Sequence, residues 1–475
     1  MNTKLYVGNI PCDVTEKELR ELFSIHGTVG EINLLMERKN GHRGFALVTT
    51  TSKEQADACS KELNGRNWKG RKLKVHEASV KETEKQTKPA GFPWGEVNWL
   101  NSTFLIGSLL LTLTVVPYFI WTQGLSIFQM VLFLAFFIAT GLSITLGYHR
   151  LYSHRAFMGK WPVRLFTLIF GAAAFENSVL CWAADHRQHH KFEDQEEDPY
   201  DITKGFFHAH IGWILFTRVE QTPMDFVKDL RKDRLAVWQH DNYVIVAGLA
   251  GFVLPALIGF LWGGWMTALG SFLISGVARM VFVHHMTFFI NSLCHTIGRQ
   301  TYSKRCSARD SAIMALFTFG EGYHNFHHAF QHDYRNGIKA WHFDPTKWSI
   351  WLLSKVGLAK HLRRVPEERI RLAEAAEQQR LLEEKLKAKP VAFAEVIHTR
   401  LQSTRTALQQ AFQNWERIEA EYSRALEKKL EASKEKLLAL RKDFQDAKLR
   451  FRNAIHDWQV THRATLEECA SSVPA

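Results

Sequence analysis

Apolar and polar positions divide the chain into four stretches of different rhythm. Over residues 1–78, short apolar runs at 5–10, 31–36, 44–49 and 72–75 read as strands and two amphipathic segments read as helices, in the order βαββαβ. Thr15-Glu-Lys-Glu18 is a capping box that opens the first helix through residue 23, and Ser52-Lys-Glu-Gln55 opens the second through residue 63 in the same way. Residues 98–148 and 242–278 hold no Asp, Glu, Lys or Arg. About 20 such residues cross a bilayer, so spans are predicted at 101–123 and 125–147 around Gly124, and at 243–262 and 265–289 around Gly263-Gly264. Each pair is a hairpin that returns the chain to the side it left. The apolar run 165–175 is only half a span long, between Arg164 and Glu176, and reads as interfacial or buried. From Pro366 onward, Leu401, Leu408, Phe412, Trp415, Phe444, Phe451, Ile455 and Trp458 recur at helical steps, the mark of an amphipathic helix or coiled coil.

The rhythm therefore predicts a multidomain chain. An N-terminal α+β domain occupies 1–78, a linker 79–96, an all-α four-span membrane domain 97–360, and a C-terminal helical or coiled-coil tail 366–464, which packs on its own domain or builds an oligomer. Trp94 and Trp99 fit interfacial anchors. The net charge of +12 sharpens the topology: basic stretches at 149–155, 228–234 and 299–309 fall on the face that carries both termini, and Lys/Arg excess marks that face as cytoplasmic. Arg279, inside the fourth span, is a candidate substrate-binding charge. The six cysteines show no C-x-x-C spacing, which argues against zinc or iron-sulfur ligation and against a disulfide framework. The N-terminus lacks the pattern of a signal peptide.

Chemistry enters with the histidines. DHRQHHK at 185–191 places His186, His189 and His190 on one helical face, and GEGYHNFHH at 320–328 repeats the spacing with His324, His327 and His328. GYHRLYSH adds His149 and His154, and INSLCH adds Asn291 and His295 one turn apart. Random placement of 23 histidines yields H-x-x-H-H only about 0.05 times, and this chain has it twice. Imidazole suits iron, zinc and copper, and nine or ten ligands exceed what one ion uses. They fit two metals with four or five protein ligands each.

HRLYSH, HRQHH, HNFHH and the NSLCH element together resemble the histidine boxes of the membrane fatty acyl-CoA desaturases, stearoyl-CoA desaturase-like, over about residues 92–360, with DPYD and GFFHAHIGW in keeping. The resemblance implies two iron ions held by His149, His154, His186, His189, His190, His295, His324, His327 and His328, with Asn291 a ligand through water. It implies that O2 and two electrons from an external donor, a reductase or ferredoxin, convert adjacent methylenes of a fatty acyl thioester into a cis double bond, delta-9 by the family's habit. CoA is favoured as acyl carrier over a carrier protein or a membrane lipid. Asn177 matches a polar position of the substrate site, while Ala184 stands where the animal branch carries an arginine that meets CoA. The N-terminal domain resembles the RNA recognition motif: Tyr6 and Phe45 stand at two of its base-stacking ring positions and Arg43 opens the second motif, which implies single-stranded RNA as a partner. Leu47 and Thr50 replace two further rings. Two other readings compete, a membrane di-iron hydroxylase and an RNA-binding membrane tether with an inactive enzyme half. The product, double bond or hydroxyl, separates the first from desaturation, and intact ligands oppose the second.

Overall fold

The computed structural model describes residues 3–10, 14–37, 41–69, 71–78, 97–216, 224–387, 391–427 and 434–471. The linker expected at 79–96, with Trp94, lies outside them. The chain forms two units, Met1–Val97 and Asn98–Ala475.

In the first unit, strands β1 (Thr3–Gly8), β2 (Val29–Glu37), β3 (Gly41–Thr50) and β6 (Lys74–Glu77) form an antiparallel sheet of order β2-β3-β1-β6. Helices α1 (Glu16–Ser24) and α2 (Lys53–Leu63) pack on it, and β4 (Asn67–Trp68) with β5 (Arg71–Lys72) adds a small hairpin that the single strand expected at 72–75 did not anticipate. Side chains alternate faces along a strand, so Leu5, Val7, Ala46, Val48 and Val75 bury against Leu19, Phe23 and Leu63, while Tyr6, Phe45 and His76 take the other face. The Thr15 capping box is complete: Glu18 N–H donates to Thr15 Oγ1 and Thr15 N–H to Glu18 Oε2. At Ser52 only half of it forms. Gln55 Oε1 turns instead to the N–H of Thr28 and the hydroxyl of Thr51, because an unpaired loop N–H competes for it.

Among the described residues of the second unit three helical runs are long and apolar enough to cross a membrane: α3 (Trp99–Gln123), Ile127–Ser153, and Tyr243–His295. The second begins as α4 (Ile127–Leu142). The third is not straight. A straight helix would hold residues 251 and 279 about 42 Å apart, yet Arg279 Nη2 donates to the Gly251 carbonyl at 3.1 Å and the rings of Phe252 and Phe272 meet at a tilt, 5.6 Å between centroids. Gly263 (φ −154°, ψ 24°) and Gly264 (φ 76°) leave the helical region and turn the chain back, the second in a conformation that favours glycine. A Cβ at Gly259 would meet the Ser271 side chain, so the two arms touch. This is the hairpin expected around Gly263-Gly264. The short apolar stretch forms α5 (Trp161–Ala172), whose Gly171 lies against the ring of Tyr148.

From residue 367 on, the described residues form three helices, α9 (Glu367–Leu386), α10 (Val391–Glu427) and α11 (Lys434–Ser471). Phe412 meets Phe451, Tyr422 meets Phe444 and Arg400 pairs with Glu468, so the last two run antiparallel. Trp415 and Trp458 fill the seam. The expected apolar stripe is thus spent within the chain.

Candidate metal centre

Four elements bring the predicted ligands together. α6 (Val179–Phe192), capped by Ser178, presents His186, His189 and His190, and α8 (His324–Ala329) presents His324, His327 and His328. His295 follows α7 (Arg279–Ser292) on a single 3-10 turn. His149 and His154 depend on a change of helix type. Residues five apart on an α-helix point about 140° apart. After α4 the chain continues as a buried π-helix, Ser143–Ser153, in which the His154 N–H bonds to the His149 carbonyl at 3.0 Å. That i+5 bond stacks the two residues and turns both imidazoles inward.

All nine histidines converge, in two groups: His149, His154, His186, His190 and His327 in one, and His189, His295, His324 and His328 in the other. In the first, Nε2 atoms approach at 2.8 Å (His154 and His186), 3.0 Å (His149 and His327) and 3.0 Å (His190 and His327). In the second, His324 Nε2 lies 3.1 Å from that of His295 and 3.0 Å from that of His328. His189 Nε2 is buried with no hydrogen-bond partner among the described residues. Metal–nitrogen bonds of about 2.1 Å set at right angles put nitrogens about 3.0 Å apart, whereas a tetrahedral angle puts them about 3.4 Å apart. The spacing fits five- or six-coordinate cations better than tetrahedral zinc.

Outer partners orient the rings. Asp198 straddles His189 Nδ1 with both oxygens at 2.9 Å, Glu321 Oε2 lies 2.8 Å from His149 Nδ1, and Glu193 Oε2 lies 2.7 Å from His328 Nδ1. Ser307 Oγ meets His295 Nδ1 at 2.7 Å, and the Tyr200 hydroxyl meets His186 Nδ1 at 3.3 Å. A proton kept on Nδ1 leaves the Nε2 lone pair free for a cation. The converging lone pairs would repel one another, and a shared cation relieves that. Burial, reinforced by neighbouring imidazoles, holds His154, His186, His190, His324, His327 and His328 well below the usual histidine range. His189 differs: burial lowers it, but Asp198 and other nearby carboxylates outweigh that and raise it.

The carboxylates escaped sequence reasoning, although Asp198 and Tyr200 stood in the quoted DPYD segment and Glu321 three residues before His324. Glu321 also accepts from Arg150 Nε (3.1 Å) and Nη2 (2.8 Å) and from Asn336 Nδ2 (2.6 Å). Arg150 is fully buried and reaches Asp344 as well. Beside the centre, Trp182 stacks on His186 and donates to Glu176 Oε2 (3.2 Å), whose other oxygen accepts from Thr287 (2.7 Å). Burial pushes the Glu176 carboxyl up to about 7. Thr287 lines a narrow apolar slot with Phe137, Ile144, Val283, Met286 and Phe319.

The remaining candidates are placed as follows. Asn291 is half-buried on the last turn of α7, four residues before His295. Asn177 is exposed at φ 79°, its Oδ1 accepting from Ser178 N–H and its own N–H donating to the Tyr243 hydroxyl. Arg279 is fully buried, and its guanidinium serves three backbone carbonyls, of Ala173, Gly251 and Ser275. That placement gives it a scaffolding task between helices. In the first unit Tyr6 stacks on Phe45 at 5.5 Å and on His76 at 5.0 Å, a ring that sequence reasoning missed. The side chain of Arg43 lies outside the described residues.

Residues 126–351 match the family described as Fatty acid desaturase, and residues 5–74 match the RNA recognition motif. A probable acyl-CoA desaturase of Schizosaccharomyces pombe is 39% identical over 292 residues, covering 61% of this chain and 60% of the relative. Acyl-CoA desaturase 1 of Saccharomyces cerevisiae is 40% identical over 297 residues, covering 61% and 56%. The sn-1 stearoyl-lipid 9-desaturase of Synechocystis is 39% identical over 238 residues, covering 50% and 71%. The chain thus spans less than two thirds of the two yeast relatives and more of the cyanobacterial one.

Proposed function

This chain belongs to the fatty acid desaturase family, and we propose that it is an oxygen-dependent di-iron desaturase that places a cis double bond at the ninth carbon of a saturated acyl-CoA, for unsaturated fatty acid biosynthesis. The convergence of nine imidazoles in groups of five and four, with carboxylates behind them, carries the reading. His149, His154, His186, His190 and His327 would hold one iron. His189, His295, His324 and His328 would hold the other, with Asn291 a ligand through water. The names of the yeast relatives support CoA as carrier, and that of the cyanobacterial relative supports the ninth carbon.

Bound there, iron supplies a centre able to activate O2 and attack an unactivated C–H bond. The balance is one O2, two electrons and two protons taken up, two hydrogens removed from adjacent methylenes, and two waters released. The electrons come from an external donor such as a ferredoxin or reductase. The protein's own residues do the positioning. Asp198, Glu193 and Glu321 hold the imidazoles in the ligating tautomer. The apolar side chains of Phe137, Ile144, Val283, Met286 and Phe319 would form a wall for the acyl chain to lie against and for water to be excluded from. Glu176 ties the slot wall at Thr287 to Trp182 and so to the helix that carries His186.

Two hairpins that cross the membrane four times would leave the metal centre and both termini on the cytoplasmic face, as the excess of Lys and Arg there suggests. The test is the fatty-acid profile, by gas chromatography with mass detection, of desaturase-deficient cells expressing the chain beside a His189→Ala/His190→Ala version. A new cis-monoene absent from the variant is expected. A hydroxy acid would move the reading to hydroxylation, and unchanged lipids with iron bound and a reductase supplied would sink the enzyme. The row of Phe45, Tyr6 and His76 supports a second, coexisting role in binding single-stranded RNA. Loss of photocrosslinking to RNA in Tyr6→Ala/Phe45→Ala is the expected outcome, and retained crosslinking would dismiss the role.

A further inference from the structure

α8 carries ligands of both groups, His324 and His328 for the four and His327 for the five, yet it is only six residues long. A helix that short takes its direction from its packing. Asn325 and Phe326, between those ligands, are fully buried and held by the loop 299–310. Asn325 accepts from the Tyr302 N–H at 2.8 Å and donates to the carbonyls of Ser303 and Ala308. Phe326 N–H donates to Asp310 Oδ1 at 3.0 Å, and the Tyr302 ring meets that of Phe326 edge-on at 5.3 Å. The loop in turn lies against α9. There the Tyr302 hydroxyl faces the Glu374 carboxylate; burial, and after it that carboxylate, keep the phenol protonated and able to donate. Ala375, Leu382 and Leu386, about 80–120° round α9 from Glu374, pack instead with α10 and α11. α9 is thus clasped between the loop and the C-terminal hairpin, and it lies beyond residue 351, where the family match ends.

Resting on the di-iron reading above, we propose that Glu374 is a positioning residue of the metal centre: through Tyr302 it makes the C-terminal helices part of the frame that holds α8 and its three ligands. A slip of α8 displaces His324 and His328 in one group and His327 in the other, so both irons loosen together. Glu321, Asp198 and Ser307 differ in this respect, since each backs a ligand of one group only. Lys304 and Glu384, 3.7 Å apart and both exposed, join the same loop to the same helix and supply an internal control. An exposed pair of that kind contributes little.

The experiment follows release of iron from the full-length, detergent-solubilised chain to a ferrous chelator, and hydrogen exchange at residues 324–329 of the metal-free protein. Glu374→Ala and Tyr302→Phe should each release both irons roughly fivefold faster, and the double variant no faster than either, because one contact is broken in all three. Glu374→Gln still accepts from the phenol and should restore slow release. Lys304→Ala/Glu384→Ala should release iron as the unaltered chain does. Exchange at 324–329 should quicken in Glu374→Ala and stay normal in Glu374→Gln. Unchanged release and exchange in Glu374→Ala overturn the proposal. So does faster release from one group alone, which denies that α8 moves as a unit, or equal acceleration in Lys304→Ala/Glu384→Ala, which assigns the effect to helix packing at large. A chain that holds no iron, yet shows quicker exchange in Glu374→Ala, would instead refute the di-iron reading and leave the contact standing.

Discussion

Five imidazoles meet in one group and four in the other, and the two are supported differently. The five-histidine group rests on buried charge: Glu321 backs His149 and is itself held by Arg150, which also reaches Asp344. Its other side opens, at His154 and His190, on a cleft whose wall includes Arg155, Arg187, Lys191 and Arg363. The four-histidine group has Asp198 and Glu193 behind it and a loop across it, in which Ser307 links His295 to Asp194. A surplus ligand makes the first group tolerant, whereas the second has none to spare and depends on its surroundings. The difference teaches that equal chemistry at two neighbouring sites need not mean equal robustness.

Removing one ligand from each group gives the largest effect and the sharpest contrast. His324→Ala leaves three imidazoles around the second site, and the protein should retain one iron of two and lose more than a hundredfold in turnover, beyond the range for outer partners. His327→Ala leaves four around the first and should keep both irons, with lower activity. Iron per chain, together with Mössbauer spectra, decides. Equal losses in the two variants would abolish the distinction.

Outer carboxylates come next. Glu321→Gln should weaken iron at the first site by about 10- to 100-fold, and Glu193→Gln should do the same at the second. The scaffold responds differently. Glu321→Ala strips a buried arginine of one of its carboxylates and should cost about 3–5 kcal/mol in stability, whereas half-buried Glu193→Ala should cost less. Chemical denaturation of the metal-free proteins measures both.

Acid should act on both groups through the folded state. Six of the imidazoles sit well below their ordinary value of 6.5 in the fold, because burial disfavours their charged form. The unfolded chain therefore binds more protons than the folded chain below about pH 6.5, and stability falls as pH drops through that window. The melting temperature of the metal-free protein should be flat above pH 7 and decline steadily from about pH 6.5 downward. Bound iron should delay the decline, since it competes for the same Nε2 atoms. A melting temperature independent of pH between 7 and 5 would show that the imidazoles are not buried neutral.

Much of this was legible in the sequence because it follows short-range rules. The i, i+3, i+4 spacing put His186, His189 and His190 on one face of α6, and a charge-free stretch can only be an apolar helix in this setting. The division into five and four was not legible, since it depends on how α6 and α8 approach one another. His149 and His154 are five apart and would diverge on an α-helix, so their convergence needed the π-helical register. The carboxylates were hidden for another reason. Their partners lie up to 172 residues away, as in the pair of His149 with Glu321, and no local pattern encodes such a pairing. Arg279 looked like a substrate ligand because charge in a span is costly. It is matched instead by three carbonyls, those of Gly251 and Ser275 in π-helical stretches and that of Ala173 at the end of α5.

The smallest contrast sets one hydroxyl partner of a ligand imidazole against another. Ser307 Oγ sits between His295 Nδ1 at 2.7 Å and Asp194 Oδ1 at 2.6 Å, so the hydroxyl relays a carboxylate's pull to a ligand of the four-histidine group. Its loop is fastened to the third histidine box: Asn325, between His324 and Phe326, accepts from Tyr302 N–H and donates to the carbonyls of Ser303 and Ala308. Lys304 on the same loop pairs with Glu384 of α9. At the five-histidine group the counterpart is the Tyr200 hydroxyl, at a longer 3.3 Å from His186 Nδ1. Ser307→Ala removes a charge-backed bond and should cost about 1.5 kcal/mol, close to tenfold in iron affinity at the second site alone, with Ser307→Thr restoring it. Tyr200→Phe keeps the ring and loses a long bond to His186, and should cost about 0.5 kcal/mol at the first. Competition with a coloured iron chelator resolves both. If Tyr200→Phe proved the costlier, the four-histidine group would not be the one that relies on its surroundings.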